Sequence, residues 1–151
     1  MKEKNEVDMK VAIYGAGAMG TVLGAYIAKA GVDIDLINRN EKHVAALKEK
    51  GAHIIGTVDF TQKVNALLPS EMSEKYDIIL LMTKQRYNGE IVAFLKDYLK
   101  EDGALCTCQN GLPEFKIAEM IGAERTLGCA IAWGATFHGE GVSELTTEDT
   151  E

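Results

Sequence analysis

Three glycines point most directly to a chemistry, because they form a G-x-G-x-x-G turn between an apolar strand and a helix. Gly15 permits a tight turn, Gly17 has no side chain to block a pyrophosphate, and Gly20 allows close packing of helix on strand. The helix that follows offers backbone N–H groups to an anion. The alternative is a glycine turn that binds no ligand, which can have the same spacing. The apolar strand directly before the turn favours nucleotide binding. The residues predicted to bind the pyrophosphate are Gly15, Ala16, Gly17, Ala18, Met19 and Gly20.

The end of the second predicted strand indicates which dinucleotide binds. An acidic residue there accepts the ribose 2′-hydroxyl of NAD, but this chain has Asn38 and Arg39 instead. A guanidinium binds a 2′-phosphate through two hydrogen bonds, so both residues predict NADP(H), with Lys42 as a second positive charge. Asp33 and Asp35 precede the strand end and are predicted not to reach the ribose. The alternative is that Arg39 is a solvated residue at the start of a helix.

Polar residues also follow the third and fourth predicted strands. Thr83 and Lys84 end one strand, and residues 109–111, Gln-Asn-Gly, end the next. Because the carboxyl ends of parallel strands meet at one edge, these residues are expected beside the glycine turn. Lys84 is predicted to hold a substrate carboxylate or polarise a carbonyl, and Asn110 to hydrogen-bond substrate or the nicotinamide ribose. The alternative is a surface lysine and an ordinary Asn-Gly turn.

The elements that must position these residues alternate between apolar runs and amphipathic stretches, which is typical of β-α-β units. The strands are predicted at 10–14, 33–37, 77–83 and 104–108, and the helices at 18–30, 40–50, 88–100 and from Pro113 to Gly122. The third strand is apolar throughout and is predicted to be central. Residues 53–65 and 126–147 predict an antiparallel hairpin and edge strands. The predicted fold is α/β, a Rossmann-like doubly wound, mostly parallel sheet with those antiparallel strands appended.

Length and composition restrict the classes of protein. With 151 residues, 46% hydrophobic and 26% charged, the chain fits one domain, predicted as a flexible N-terminus (1–8), a nucleotide-binding domain (9–147) and a tail (148–151). A net charge of −7 argues against nucleic acid and against an anionic membrane as partners. No apolar segment is long enough to span a bilayer, and the first ten residues do not resemble a secretory signal, so the expected location is cytoplasmic.

The cysteines and histidines predict no metal site. Cys106, Cys108 and Cys129 are an odd number at spacings that suit neither zinc nor a disulfide framework. Cys106 and Cys108 share one face of a predicted strand, and the three are expected to be buried thiols. The histidines are scattered without ligand spacing, at His43, His53 and His138.

Five segments, in order, carry a resemblance to a known family: VAIYGAGAMG, LINRN, YDIILLMTK, CQNGLPE and GATFHGEGV. Over residues 9–147 the chain resembles the N-terminal NADP-binding domain of the ketopantoate reductases (2-dehydropantoate 2-reductases). The resemblance implies NADPH-dependent reduction of 2-dehydropantoate to pantoate, on the route to pantothenate and coenzyme A. It assigns the pyrophosphate to residues 15–20 and the 2′-phosphate to Arg39. Lys84 and Asn110 would be the catalytic residues and, with Thr83, would also bind the cofactor, and the backbone of Gly134 and Ala135 would contact the nicotinamide.

The chain also departs from this family. Its members continue into a helical C-terminal domain with a proton-donating lysine and most substrate contacts, and the 151 residues hold no counterpart. The chain is therefore expected to bind NADP(H), to contribute to a site for a small 2-keto acid, and to turn over little by itself. A surface left uncovered would favour self-association, with a homodimer as the expected form. The alternatives are a stand-alone NADP-binding regulatory module and the domain of a related 2-hydroxy-acid or opine dehydrogenase.

Overall fold

The computed structural model describes residues 8–148. The predicted flexible N-terminus and tail lie, apart from residues 8 and 148, outside the described residues. The strands are β1 Lys10–Tyr14, β2 Asp33–Ile37, β3 Ala52–Gly56, β4 Phe60–Gln62, β5 Asn65–Leu67, β6 Tyr76–Leu81, β7 Leu99–Thr107, β8 Thr126–Gly128, β9 Ala135–Phe137 and β10 Val142–Leu145. The α-helices are α1 Ala18–Lys29, α2 Glu41–Lys50, α3 Asn88–Leu95 and α4 Glu114–Ile121.

The main sheet has six parallel strands in the order β5-β2-β1-β6-β7-β8. Numbered within the sheet, this order is 3-2-1-4-5-6, the doubly wound arrangement of dinucleotide-binding folds. The chain reverses its direction of winding between β1 and β6, where Ala12 pairs with Asp35 on one side and with Ile79 on the other. The central position predicted for the third strand is confirmed, since β6 lies between β1 and β7.

Hydrophobic cores cover both faces of this sheet. Val11 and Ile13 of β1 pack on one face with residues of α1 and α2, whereas Ala12 points to the other face with residues of α3 and α4. This alternation explains why the strands are apolar at consecutive positions, as parallel strands covered on both faces are.

A second sheet of four strands, in the order β4-β3-β10-β9, is the main departure from the predicted fold. The antiparallel hairpin predicted for residues 53–65 is confirmed as β3–β4. It is not appended to the main sheet, because β3 pairs in parallel with β10, with Val142 opposite His53 and Leu145 opposite Gly56. The β9–β10 hairpin completes this sheet, and both sheets pack against α1.

Element boundaries differ from the predictions where strands are short or helices end in tighter turns. The helix predicted for residues 88–100 ends at Leu95, continues as a 3-10 turn to Tyr98, and gives way to β7 at Leu99. The three-residue strands β5 and β8 form the edges of the main sheet. Across the described residues, no helix has the length and apolar character needed to cross a membrane.

Candidate functional site

The glycine turn is held rigidly against two strand ends. Gly15 has a φ of +99°, and a Cβ atom there would lie 2.8 Å from Thr83 Cγ2 and 2.9 Å from the carbonyl carbon of Met82. The backbone N–H groups of Gly15 and Ala16 both donate to the carbonyl oxygen of Ile37 at 3.0 Å. The predicted tight turn at Gly15 is thus confirmed, and it joins the ends of β2 and β6.

The start of α1 has the features of an anion-binding helix terminus. Thr21 N–H is the first intrahelical donor, to the carbonyl of Gly17 at 3.0 Å, so the preceding N–H groups of Ala18, Met19 and Gly20 are left for a ligand. A Cβ at Gly17 would meet nothing within 4 Å. A Cβ at Gly20 would lie 2.9 Å from the Gly15 carbonyl oxygen, which confirms the close packing predicted there.

An open cleft of about 540 Å³ adjoins this turn at the carboxyl ends of β1, β2 and β6. Five predicted site residues line it: Gly15, Asn38, Arg39, Thr83 and Lys84. Further lining residues that the sequence did not single out include Tyr14, Arg86, Tyr87 and Glu90. Doubly wound sheets bind their ligands in the crevice outside the carboxyl ends of the strands, at the point where the direction of winding reverses.

Asparagines order the rim of this cleft beyond β2. Asn38 Oδ1 accepts from the Asn40 N–H at 2.8 Å, and Asn40 Oδ1 accepts from the His43 N–H at 3.2 Å, which caps α2. Arg39 lies between them, exposed, and makes no ion pair within the described residues. Burial raises the pKa of Tyr14, and the nearby Arg39 charge opposes that rise. Arg39 therefore stands at the cleft as an available cation.

Gln109 joins the tips of β6 and β7, a role that the sequence reasoning missed. Its Nε2 donates to the Thr83 carbonyl at 2.7 Å, and its side chain forms a reciprocal amide pair with Asn88, with both bonds at 2.8 Å. Its Oε1 also accepts from the buried Thr107 hydroxyl at 3.1 Å. The available signal was a glutamine at the end of a strand, ahead of an Asn-Gly turn.

The two predicted catalytic residues lie on neighbouring loops. Lys84 is exposed and lines the cleft. Asn110 is exposed on the next loop, where its carbonyl accepts from Gln85 Nε2, and its side chain does not line the cleft. The structure thus brings Lys84 to the cleft and Asn110 to the adjoining turn, and their roles stay predictions.

Gly134 and Ala135 lie at the start of β9 in the second sheet, not on the cleft lining. The Gly134 N–H donates to Thr147 Oγ1 at 2.8 Å, and its carbonyl accepts from the Thr146 N–H at 3.0 Å. Ala135 packs against the core that includes α1. The nicotinamide contact expected of this segment stays a prediction.

The cysteines are less buried than the sequence predicted. Cys106 and Cys108 are half-buried and Cys129 is exposed, so the expectation of a buried thiol is wrong for Cys129. The neighbouring Cys108 thiol lowers the pKa of the Cys106 thiol. Among residues 8–148, no group of three or more His, Cys, Asp and Glu side chains is arranged to hold a metal ion.

The sheet order, the locked glycine turn and the cleft at the strand ends define a dinucleotide-binding domain of the Rossmann type. The sequence matches the ketopantoate reductase PanE/ApbA family over residues 11–150. The chain belongs to this family.

Curated relatives and solved structures agree with this assignment. The 2-dehydropantoate 2-reductases of Streptococcus pyogenes and Pyrococcus abyssi are 34% and 37% identical over 139 residues, which are 91% of this chain and 45% of theirs. The chain thus spans about half the length of these relatives. The 2-dehydropantoate 2-reductase of Geobacter metallireducens has a TM-score of 0.83 at 26% identity, over 92% of this chain and 46% of that one. A D-mandelate dehydrogenase solved with NADH and anilino(oxo)acetate has 0.82 at 28%, with the same coverage.

Proposed function

We propose that this chain is the NADP(H)-binding domain of a reductase that converts 2-dehydropantoate to pantoate. The observation that carries the proposal is Arg39, a cation on the cleft at the end of β2 without an ion pair among residues 8–148, where an NAD-binding domain would place a carboxylate. Family membership supports the substrate, because the curated relatives are named for this reaction.

The dinucleotide would lie across the carboxyl ends of the strands. The N–H groups of residues 18–20 would hold the pyrophosphate, and Arg39, with Asn38 beside it, would hold the 2′-phosphate. Lys84 would face the reacting end and bind or polarise the keto acid, and Asn110 would bind the substrate or the nicotinamide ribose. When bound, the nicotinamide supplies the hydride, and these residues position the acceptor.

Reduction of a ketone also requires a proton for the developing alkoxide. The family resemblance assigns that proton to a lysine beyond these 151 residues. We therefore expect the chain as it stands to bind NADPH and to oxidise it only slowly with 2-dehydropantoate.

Calorimetric titration with NADPH and NADH tests the cofactor. We expect NADPH to bind at least tenfold more tightly than NADH, and Arg39→Ala to remove this preference, because one charged hydrogen-bonded contact is worth about 1.5–3 kcal/mol. Lys50→Ala, which removes an exposed charge at the far end of α2, is the matched control. Equal affinities for both nucleotides, or an unchanged preference in Arg39→Ala, would contradict the NADP assignment.

A second candidate is an NADH-dependent dehydrogenase of another 2-hydroxy acid, favoured by the D-mandelate dehydrogenase neighbours solved with NADH. Binding of 2-dehydropantoate and of phenylglyoxylate, the keto acid of mandelate, to the nucleotide-loaded chain separates the two. Tighter binding of phenylglyoxylate together with a preference for NADH would favour the second candidate.

A further inference from the structure

His43 of α2 is buried and does not line the proposed nucleotide site. It nevertheless joins three segments that surround that site. The ring is 1% exposed. Its Nε2 lies 2.9 Å from the carbonyl oxygen of Ala16 and 3.2 Å from Thr21 Oγ1, and its Nδ1 accepts a hydrogen bond of 3.0 Å from the Gly141 N–H. The glycine turn, α1 and the β9–β10 turn therefore meet on one imidazole.

These partners determine the protonation state of the ring. The Gly141 N–H can only donate, so Nδ1 carries no proton, and the proton on Nε2 points to the Ala16 carbonyl. Burial lowers the pKa of His43, against the opposing effects of the Ala16 carbonyl and of Glu140, the charged group that faces it. The Phe137 ring packs edge-on against the imidazole at 5.3 Å. The neutral form thus fits the site.

The Ala16 carbonyl is held from two sides, because the Thr21 hydroxyl also donates to it at 3.2 Å. Its orientation sets the peptide plane from which the turn enters α1, and so the direction of the N–H groups offered to a pyrophosphate. On the other side of the ring, Gly141 belongs to the hairpin that begins with Gly134 and Ala135.

We propose that His43 is a positioning residue that couples the glycine turn to the β9–β10 hairpin, so that the phosphate-binding and nicotinamide-facing parts of the site keep a fixed relation. This inference rests on the proposed binding of NADP(H). The hairpin is hydrogen-bonded to the ring only through the Gly141 N–H among the described residues, and this makes the coupling sensitive to a proton on Nδ1.

Acid breaks the coupling in a defined way. A proton taken from solvent onto Nδ1 would point a second N–H at the Gly141 N–H, and two donors cannot bond to each other. The folded protein favours the neutral ring of His43. The contribution of this residue to the free energy of unfolding is therefore complete above the ordinary pKa of 6.5, and it is lost as the pH falls from 6.5 through the lowered pKa of the folded state. Nucleotide affinity should fall at lower pH, as the ring of the folded, unliganded chain gains a proton around its lowered pKa.

Titrations of the 151-residue chain with NADPH and with adenosine 2′-monophosphate test the inference. The monophosphate reaches the Arg39 side of the cleft but not the glycine turn. We expect His43→Phe to weaken NADPH binding roughly tenfold and to leave the monophosphate within about twofold. His53→Phe is the control, because that histidine is half-buried, does not contact the glycine turn and pairs instead with Asp59.

His43→Gln supplies the readout that a purely structural role would not change. Its amide offers both a donor and an acceptor but does not titrate, so we expect NADPH affinity within about threefold of wild type near neutral pH. A phosphomonoester gains a proton near pH 6, in every variant alike. As the pH falls through the lowered pKa of His43, the wild-type affinity should therefore fall more steeply than that of His43→Gln.

Three results would overturn the inference while leaving the proposed function intact. They are wild-type NADPH affinity in His43→Phe, an equal loss for the monophosphate and NADPH, and an unchanged pH dependence in His43→Gln. Failure of the wild-type chain to bind NADPH would instead overturn the proposed function, and this inference with it.

Discussion

The glycine turn and the strand-tip rim, which we define as Arg39, Lys84 and Asn110, border the same edge of the sheet but are built differently. A Cβ at Gly15 would approach three neighbouring atoms within 2.9 Å. The rim side chains are exposed and make no hydrogen bond or ion pair among residues 8–148. Packing thus dictates the shape of the turn, whereas the rim is free to vary. Nucleotide and substrate preference are therefore separable from the fold.

The largest expected effect is on stability, from Gly15→Ala. The added methyl would meet the backbone of Met82 and Thr83 at 2.9 Å, and alanine disfavours a φ of +99°. We expect the free energy of unfolding in urea to fall by about 3 kcal/mol. The matched rim variant Arg39→Ala should change it by less than about 0.5 kcal/mol. Equal losses in both variants would contradict the contrast between turn and rim.

Gly17→Ala should have a different profile, with a large effect on binding and a smaller effect on stability than Gly15→Ala. A Cβ there meets no atom within 4 Å, so the only cost to the fold comes from a ψ of −141°, which lies outside the regions that alanine favours. The methyl would instead occupy the path of the pyrophosphate, and we expect NADPH affinity to fall roughly a hundredfold, or about 2.7 kcal/mol. Calorimetry measures the affinity, and the free energy of unfolding in urea should fall by less than it does for Gly15→Ala. Retained affinity would show that the ligand does not pass over this turn.

Gln109 lies at the rim but is fixed like the turn, so its substitution sharpens the comparison. Gln109→Leu would leave the Asn88 amide, the Thr83 carbonyl and the buried Thr107 hydroxyl without this partner. We expect a loss of about 2 kcal/mol in the free energy of unfolding. Asn110→Ala, at the next residue, should cost less than about 0.5 kcal/mol because its side chain is exposed and unbonded. A similar loss in the free energy of unfolding for both variants would show that the Gln109 side chain contributes no more to stability than the exposed rim side chains.

The main sheet was predictable because its signals are local. Apolar runs alternate with helices, and the glycine spacing encodes a turn whose steric demands lie within a few residues. The same reasoning located Arg39, Thr83 and Lys84, since parallel strands bring their carboxyl ends to one edge.

The second sheet and the polar connectors depend on contacts between distant residues, which local patterns do not encode. The pairing of Val142 with His53 joins residues far apart in the chain. His43 bonds mainly to backbone groups, of Ala16 and Gly141, which leave no trace in residue type. Gln109 bonds partly to the Thr83 carbonyl for the same reason. A scattered histidine and a turn glutamine therefore carried no recognisable pattern.

The smallest expected effect concerns Cys106. This residue is half-buried, and so lies between the packed turn and the exposed rim in its degree of burial. Since the neighbouring Cys108 thiol lowers the pKa of Cys106, alkylation of Cys106 by iodoacetamide should reach half its maximal rate below the ordinary thiol pKa of 9.0, as followed by peptide mass spectrometry. Cys108→Ala should return the pKa toward 9.0. At neutral pH that change lowers the thiolate fraction but makes each remaining thiolate more nucleophilic, so the rate should fall less than the thiolate fraction does. A half-maximal rate near pH 9 in the wild-type chain would show instead that the two thiols do not interact.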